Sequence, residues 1–119
     1  MGRGFGALRR RLGRKLLEAS FDPAWYRVQY LNDSNEPPFQ HYLRIGRSEG
    51  RSPNADFDEV FYRQRYPDVV QPIADGYLIS GFDHFLRYGR REGRLPRADH
   101  VCWANRSRKI VSLRATVLQ

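Results

Sequence analysis

GRSEGRSP at residues 46–53 comes back as GRREGRLP at residues 89–96. The string has neither the 3.6-residue period of a buried helix face nor the alternation of a strand. Yet its Gly, Arg, Glu, Gly, Arg and Pro return in register. Working outward, HYLRIGRSEGRSPNADF (41–57) aligns with HFLRYGRREGRLPRADH (84–100) at an offset of 43. FDPAWYRVQY (21–30) aligns with FDEVFYRQRY (57–66) at an offset of 36. The seven-residue difference falls within VVQPIADGYLISG (69–81). Matches at so many positions, with gaps only between blocks, mark an internal repeat. The chain divides into a basic amphipathic tail (1–20), repeat 1 (21–56), repeat 2 (57–99) and a closing segment (100–119). That last segment reads as a tail or as the start of a divergent third repeat, since His100 takes the place of Phe57.

Each repeat reads as a helical hairpin. Asp22 and Asp58 are good N-caps, and Pro23 suits a first helical position. Phe21 with Tyr26, and Phe57 with Tyr62, are spaced to close a hydrophobic staple across the cap. Trp25 or Phe61, with Tyr26/Tyr30 or Tyr62/Tyr66, gives an aromatic face. A second short helix carries Phe39, Tyr42 and Leu43 in one copy and Phe82, Phe85 and Leu86 in the other. Gly46 and Gly89 are expected to end it in the left-handed conformation. Gly50 or Gly93 then lets the chain bend, and Pro53 or Pro96 stiffens the exit. The fold class is therefore all-α: two tandem helical hairpins with short turns, sharing one core because neither buries its aromatic face alone.

Composition narrows the function classes. Hydrophobic residues at 40% and aromatics at 13% suffice for a modest core and argue against global disorder. No run approaches a membrane span, and residues 1–20 lack the apolar stretch of a secretory signal. Cys102 stands alone, which excludes an intrachain disulfide and a cysteine zinc site, and a cytoplasmic address is the default expectation. The net charge of +8 sits in the ends. Residues 21–100 hold eleven arginines against eight aspartates and four glutamates, so the folded middle is balanced. A nucleic-acid-binding fold would carry the excess on its folded surface, which argues against that partner.

The blocks FDPAWYRVQY and HYLRIGRSEGRSP, with FDEVFYRQRYPDV and HFLRYGRREGRLP, resemble a bacterial repeat module attached to glycosyltransferases of surface-polysaccharide synthesis. The resemblance covers residues 21–100. It departs at YLND, where Tyr-Pro-Asp-Val is usual, and at the lengthened connection of the second copy. It implies no catalytic residue and no cofactor. What it implies is an interaction or spacer unit in polysaccharide synthesis, alone or leading a glycosyltransferase domain, cytoplasmic or peripheral at the inner membrane.

Residue chemistry offers further candidates. His41 and His84 hold equivalent positions; sugar contact or proton shuttling is weighed against a structural bond, and their recurrence favours structure. Arg51 and Arg94 are suited to gripping an anion bidentately, or to pairing with Glu49 or Glu92 or with the caps. Asp56-Phe57-Asp58 mimics a transferase metal motif, but Asp58 is claimed by the cap, so no catalytic or metal residue is assigned. Trp25, Tyr88 and Tyr77 are candidate carbohydrate or partner contacts, with Trp25 and Tyr88 expected in the groove between copies. Ile73, Tyr77, Leu78 and Ile79 of the insertion make a candidate partner surface or a cover for the core. Phe5, Leu8, Leu12 and Leu16 among basic residues make residues 1–17 a candidate for an anionic membrane surface, or a first helix packed on the repeat, and the basic tails keep nucleic-acid binding as a further alternative.

Overall fold

The computed structural model describes residues 13–99. Among them the protein is all-α, with no strand. Helix α1 runs through the described residues 13–20. Helix α2 spans Pro23–Tyr30, and α3 spans Pro38–His41 before widening into a π turn at Tyr42–Gly46. Helix α4 spans Glu59–Arg65, a 3₁₀ turn at Pro67–Val69 leads into α5 at Val70–Ala74, and α6 at Gly81–His84 widens into a second π turn at Phe85–Gly89.

Helices this short are not stable alone, so caps and packing must hold them. Asp22 Oδ1 accepts from the Trp25 amide at 3.0 Å, and Asp58 Oδ1 accepts from the Phe61 amide at 3.0 Å. Both staples close, with ring centroids 5.2 Å apart for Phe21–Tyr26 and 5.0 Å for Phe57–Tyr62. A single core gathers Leu17 of α1, Tyr26, Tyr42 and Tyr62, Phe21 and Phe57, and Val69, Leu78 and Phe82. The three tyrosines are fully buried.

The turn that opened the sequence question is resolved by its hydrogen bonds. Arg51 N–H donates to Gly46 O and Gly50 N–H to Arg47 O; Arg94 N–H donates to Gly89 O and Gly93 N–H to Arg90 O. These nested pairs make a Schellman motif, whose left-handed residue is Gly50 or Gly93, each at φ 79°. The expectation that Gly46 and Gly89 end their helices left-handed is therefore corrected. Both stay helical, and their missing Cβ makes room for a tyrosine: a methyl there would run into the Tyr26 hydroxyl at Gly46 and the Tyr62 hydroxyl at Gly89. Each glycine closes its π turn, in which Arg47 N–H reaches Tyr42 O and Arg90 N–H reaches Phe85 O, both at 2.8 Å.

Two further expectations change. On α1 the buried leucine is Leu17, while Leu16 is 45% exposed. The expected stripe therefore fails at Leu16, and its other members Phe5, Leu8 and Leu12 lie outside the described residues. The insertion is helical at Val70–Ala74 and turns back over 75–80, and its apolar residues mostly cover the core: Leu78 is buried and Ile73 and Ile79 pack against it, leaving Tyr77 67% exposed.

Candidate functional site

The chemistry-bearing side chains of residues 21–56 and of 57–99 sit in matched settings. Tyr26 Oη and His41 Nδ1 are 2.9 Å apart, as are Tyr62 Oη and His84 Nδ1. The Arg51 guanidinium lies 3.5 Å from His41 Nε2. Burial, and then the neighbouring Arg51, hold the His41 pKa below the ordinary histidine value. Burial followed by Arg94 does the same at His84. Both imidazoles are thereby kept neutral near pH 7. Burial also pushes the Tyr26 hydroxyl up to about 12 and raises that of Tyr62.

Arg51 and Arg94 each close a turn. Arg51 lies over the Tyr30 ring at 5.2 Å and pairs with Glu49 at 3.2 Å. Arg94 lies over Tyr66 at 4.7 Å, pairs with Glu92 at 2.9 Å, and binds Asp68 through both terminal nitrogens at 2.9 and 2.8 Å. The fork on Asp68 raises the Arg94 pKa and lowers that of Asp68. The tyrosine hydroxyls beneath accept from the backbone: Ser52 N–H reaches Tyr30 Oη at 3.1 Å, and Leu95 N–H reaches Tyr66 Oη at 2.8 Å.

The sequence reading missed the buried acids. Glu59 is fully buried. It accepts from Arg63 Nε at 2.6 Å and from the amides of Gly81 and Phe82 at 2.6 and 3.2 Å. Burial pushes its carboxyl pKa up, while Arg63 and the two amides draw it back. Asp83, also fully buried, accepts from Arg87 at 2.8 Å and from the Ile79 amide at 2.8 Å. The signal was a mismatch within the alignment: Glu59 stands where the first copy has Pro23, and Asp83 where it has Gln40.

Clefts open between elements of the described residues. One, of about 610 Å³, is lined by Phe57, Phe82, Phe85, Leu86 and Arg90, with Ser20, Asn54 and Asp56 along one side. Another, of about 310 Å³, joins Trp25 to Val60, Asn54, Asp58 and Arg97. Trp25 thus faces a groove between the two halves. Tyr88 lines neither cleft; it is 46% exposed and leans on His84 with ring centroids 5.5 Å apart, so it does not share the groove with Trp25 as expected. Among the described residues no cluster of His, Cys, Asp and Glu could hold a metal, and no helix is long and apolar enough to cross a membrane. Comparison with known proteins finds no matching family model and no significantly similar curated protein or solved structure.

Proposed function

We propose that this chain is a non-catalytic helical interaction and spacer unit serving glycosyltransferase-dependent polysaccharide synthesis at the cytoplasmic side of the membrane. One observation carries the non-catalytic half of this reading. The groups best suited to acid–base or anion chemistry are engaged in architecture: His41 and His84 each hold a tyrosine hydroxyl through Nδ1, Arg94 grips Asp68, and Glu59 binds Arg63 and two amides. The tie to polysaccharide synthesis rests on the resemblance of the repeated blocks. Tyr77, exposed at the tip of the insertion, is the contact we assign to a transferase partner. A photo-crosslinking amino acid at position 77, used in the native host and read by mass spectrometry, should capture a glycosyltransferase. Capture of nucleic-acid-binding or unrelated proteins alone would refute the assignment.

A second reading, carbohydrate binding, draws on the polar cleft where Trp25 meets Asn54, Asp58 and Arg97. An indole face beside amide, carboxylate and guanidinium groups suits a sugar ring. Indole fluorescence on titration with the host's own surface polysaccharide, compared between wild type and Trp25→Ala, tests it: saturable quenching lost in the variant supports this reading, and its absence removes it.

A further inference from the structure

The polar cleft beside Trp25 lies on the join between the two halves of the protein, and its charges are unevenly answered. Across the join, Ser52 Oγ accepts from the Glu59 amide at 3.1 Å. Val60 of α4 lies over Gly50, 3.3 Å from where a Cβ would stand. Ser52, Gly50 and Val60 line the cleft together with Trp25, Tyr30 and Asp58. The Trp25 and Tyr30 rings stand at 85° with centroids 6.0 Å apart, so the two make an aromatic corner. Its volume of about 310 Å³ is at the small end of the roughly 300–1,000 Å³ of ligand pockets, which suits one sugar ring rather than several.

Most polar groups of the cleft are already held. Arg97 Nη1 donates to Ala55 O at 2.8 Å, and its Nε pairs with Asp99 at 2.6 Å. Asn54 Nδ2 donates to Ser20 O and its Oδ1 accepts from the Asp56 amide, both at 2.9 Å. Two groups differ. The Trp25 indole N–H donates to nothing among the described residues. Asp58 gives Oδ1 to the Phe61 amide at 3.0 Å, while its Oδ2 meets no donor and its charge no cation among the described residues. The Arg97 charge is thus balanced in the cleft wall and the Asp58 charge is not, in a chain whose net charge is +8. A carboxylate with an unused oxygen accepts from a ligand hydroxyl or ammonium and repels a ligand carboxylate or phosphate.

We propose that this cleft takes a single sugar ring without negative charge, an amino sugar best of all. The ring lies against Trp25, and Asp58 Oδ2 accepts from its hydroxyl or ammonium. Uronic acids and sugar phosphates are turned away at the site, although the basic chain as a whole draws anions toward it. The proposal rests on the carbohydrate reading of the cleft and adds to it the class of sugar.

NMR titration of the full chain tests it, following the Trp25 indole N–H resonance, which is assigned by its loss in Trp25→Phe. The probes are glucosamine, glucose and glucuronate with their galactose-series counterparts, at slightly acid pH where the amine carries a proton. At low salt the amino sugar should bind on the order of tenfold more tightly than the acid sugar, with the neutral sugar between them. Added sodium chloride should shrink that gap. Asp58→Asn keeps an equally good cap, so it should leave the thermal midpoint in place and bring the three sugars within about twofold of one another. Affinities that ignore charge, or an order led by glucuronate, would overturn the proposal and leave the carbohydrate reading standing. A resonance unmoved by every probe would overturn it as well, and the reading falls with it only if the host polysaccharide also fails to quench the indole. The salt series needs no variant, so a loss of fold in Asp58→Asn does not shield the proposal.

Discussion

Residues 21–56 and 57–99 share a set of local contacts and differ in how those contacts are held together. Both have an aspartate cap, a tyrosine–histidine bond, a glycine under the tyrosine hydroxyl, and an arginine over a second tyrosine ring. They part company in their charged pairs. The first half places Arg44–Glu36 at the surface; the second buries Glu59 and Asp83 completely. Those buried acids lie where the join and the insertion must be fixed. Glu59 binds the first turn of α6, and its partner Arg63 reaches across to Arg47 O at 2.6 Å. What the halves share makes the unit, and what they do not share makes the connection.

The difference sets an order of expected effects. Glu59→Ala strands the Arg63 guanidinium and two buried amides, which costs about 3–5 kcal/mol. Its surface counterpart Glu36→Ala should leave the urea midpoint nearly unmoved. Denaturation curves of the two variants measure the contrast directly, and similar losses from both would erase it.

Gly46→Ala and Gly89→Ala come next, at about 1–3 kcal/mol each, because a methyl must displace a buried tyrosine hydroxyl. Adding Tyr26→Phe to the first and Tyr62→Phe to the second should recover part of the loss. Additive double mutants would show that the glycines serve some other purpose. Asp22→Ala and Asp58→Ala should each cost about 1 kcal/mol, equally in the two halves, as read from thermal midpoints.

The smallest effect is on pH. Both histidines have folded pKa values below 6.5, so the unfolded chain takes up protons first as pH falls. Their contribution is full above about pH 6.5 and declines below it. The raised carboxyl of Glu59 acts in the opposite sense, losing stability as pH rises above its unfolded value of 4.5. The histidine share is therefore read by difference. The change in urea midpoint between pH 7.5 and pH 5.5 should shift toward Glu59's sense in His41→Asn and His84→Asn, and an unchanged response would remove the histidines from the account.

Much of the scaffold was legible in the sequence because its determinants are local. A cap, a staple and a glycine turn are written within five or six residues, so Asp22, Phe21 with Tyr26, and Gly50 could be read where they stand. The join was not legible. Glu59 reads as an ordinary first-turn carboxylate, and only the approach of the Gly81 and Phe82 amides, more than twenty residues away, makes it a buried one. Gly46 was misassigned for a similar reason: its constraint comes from Tyr26 across the hairpin, not from its own backbone. Leu17 took the place expected of Leu16 because α1 also sets Gly13 against the Asp83–Arg87 pair, a contact far from it in sequence.

Native-state hydrogen exchange at the Arg47 and Arg90 amides, the closing donors of the two π turns, bears on all of this at once. If one core holds both halves together, the two amides should open with the same free energy, equal to that of global unfolding, and Glu59→Gln should lower both by the same amount. Exchange at Arg90 through a separate, cheaper opening that leaves Arg47 protected would mean that the halves stand independently and that the buried acids do not join them.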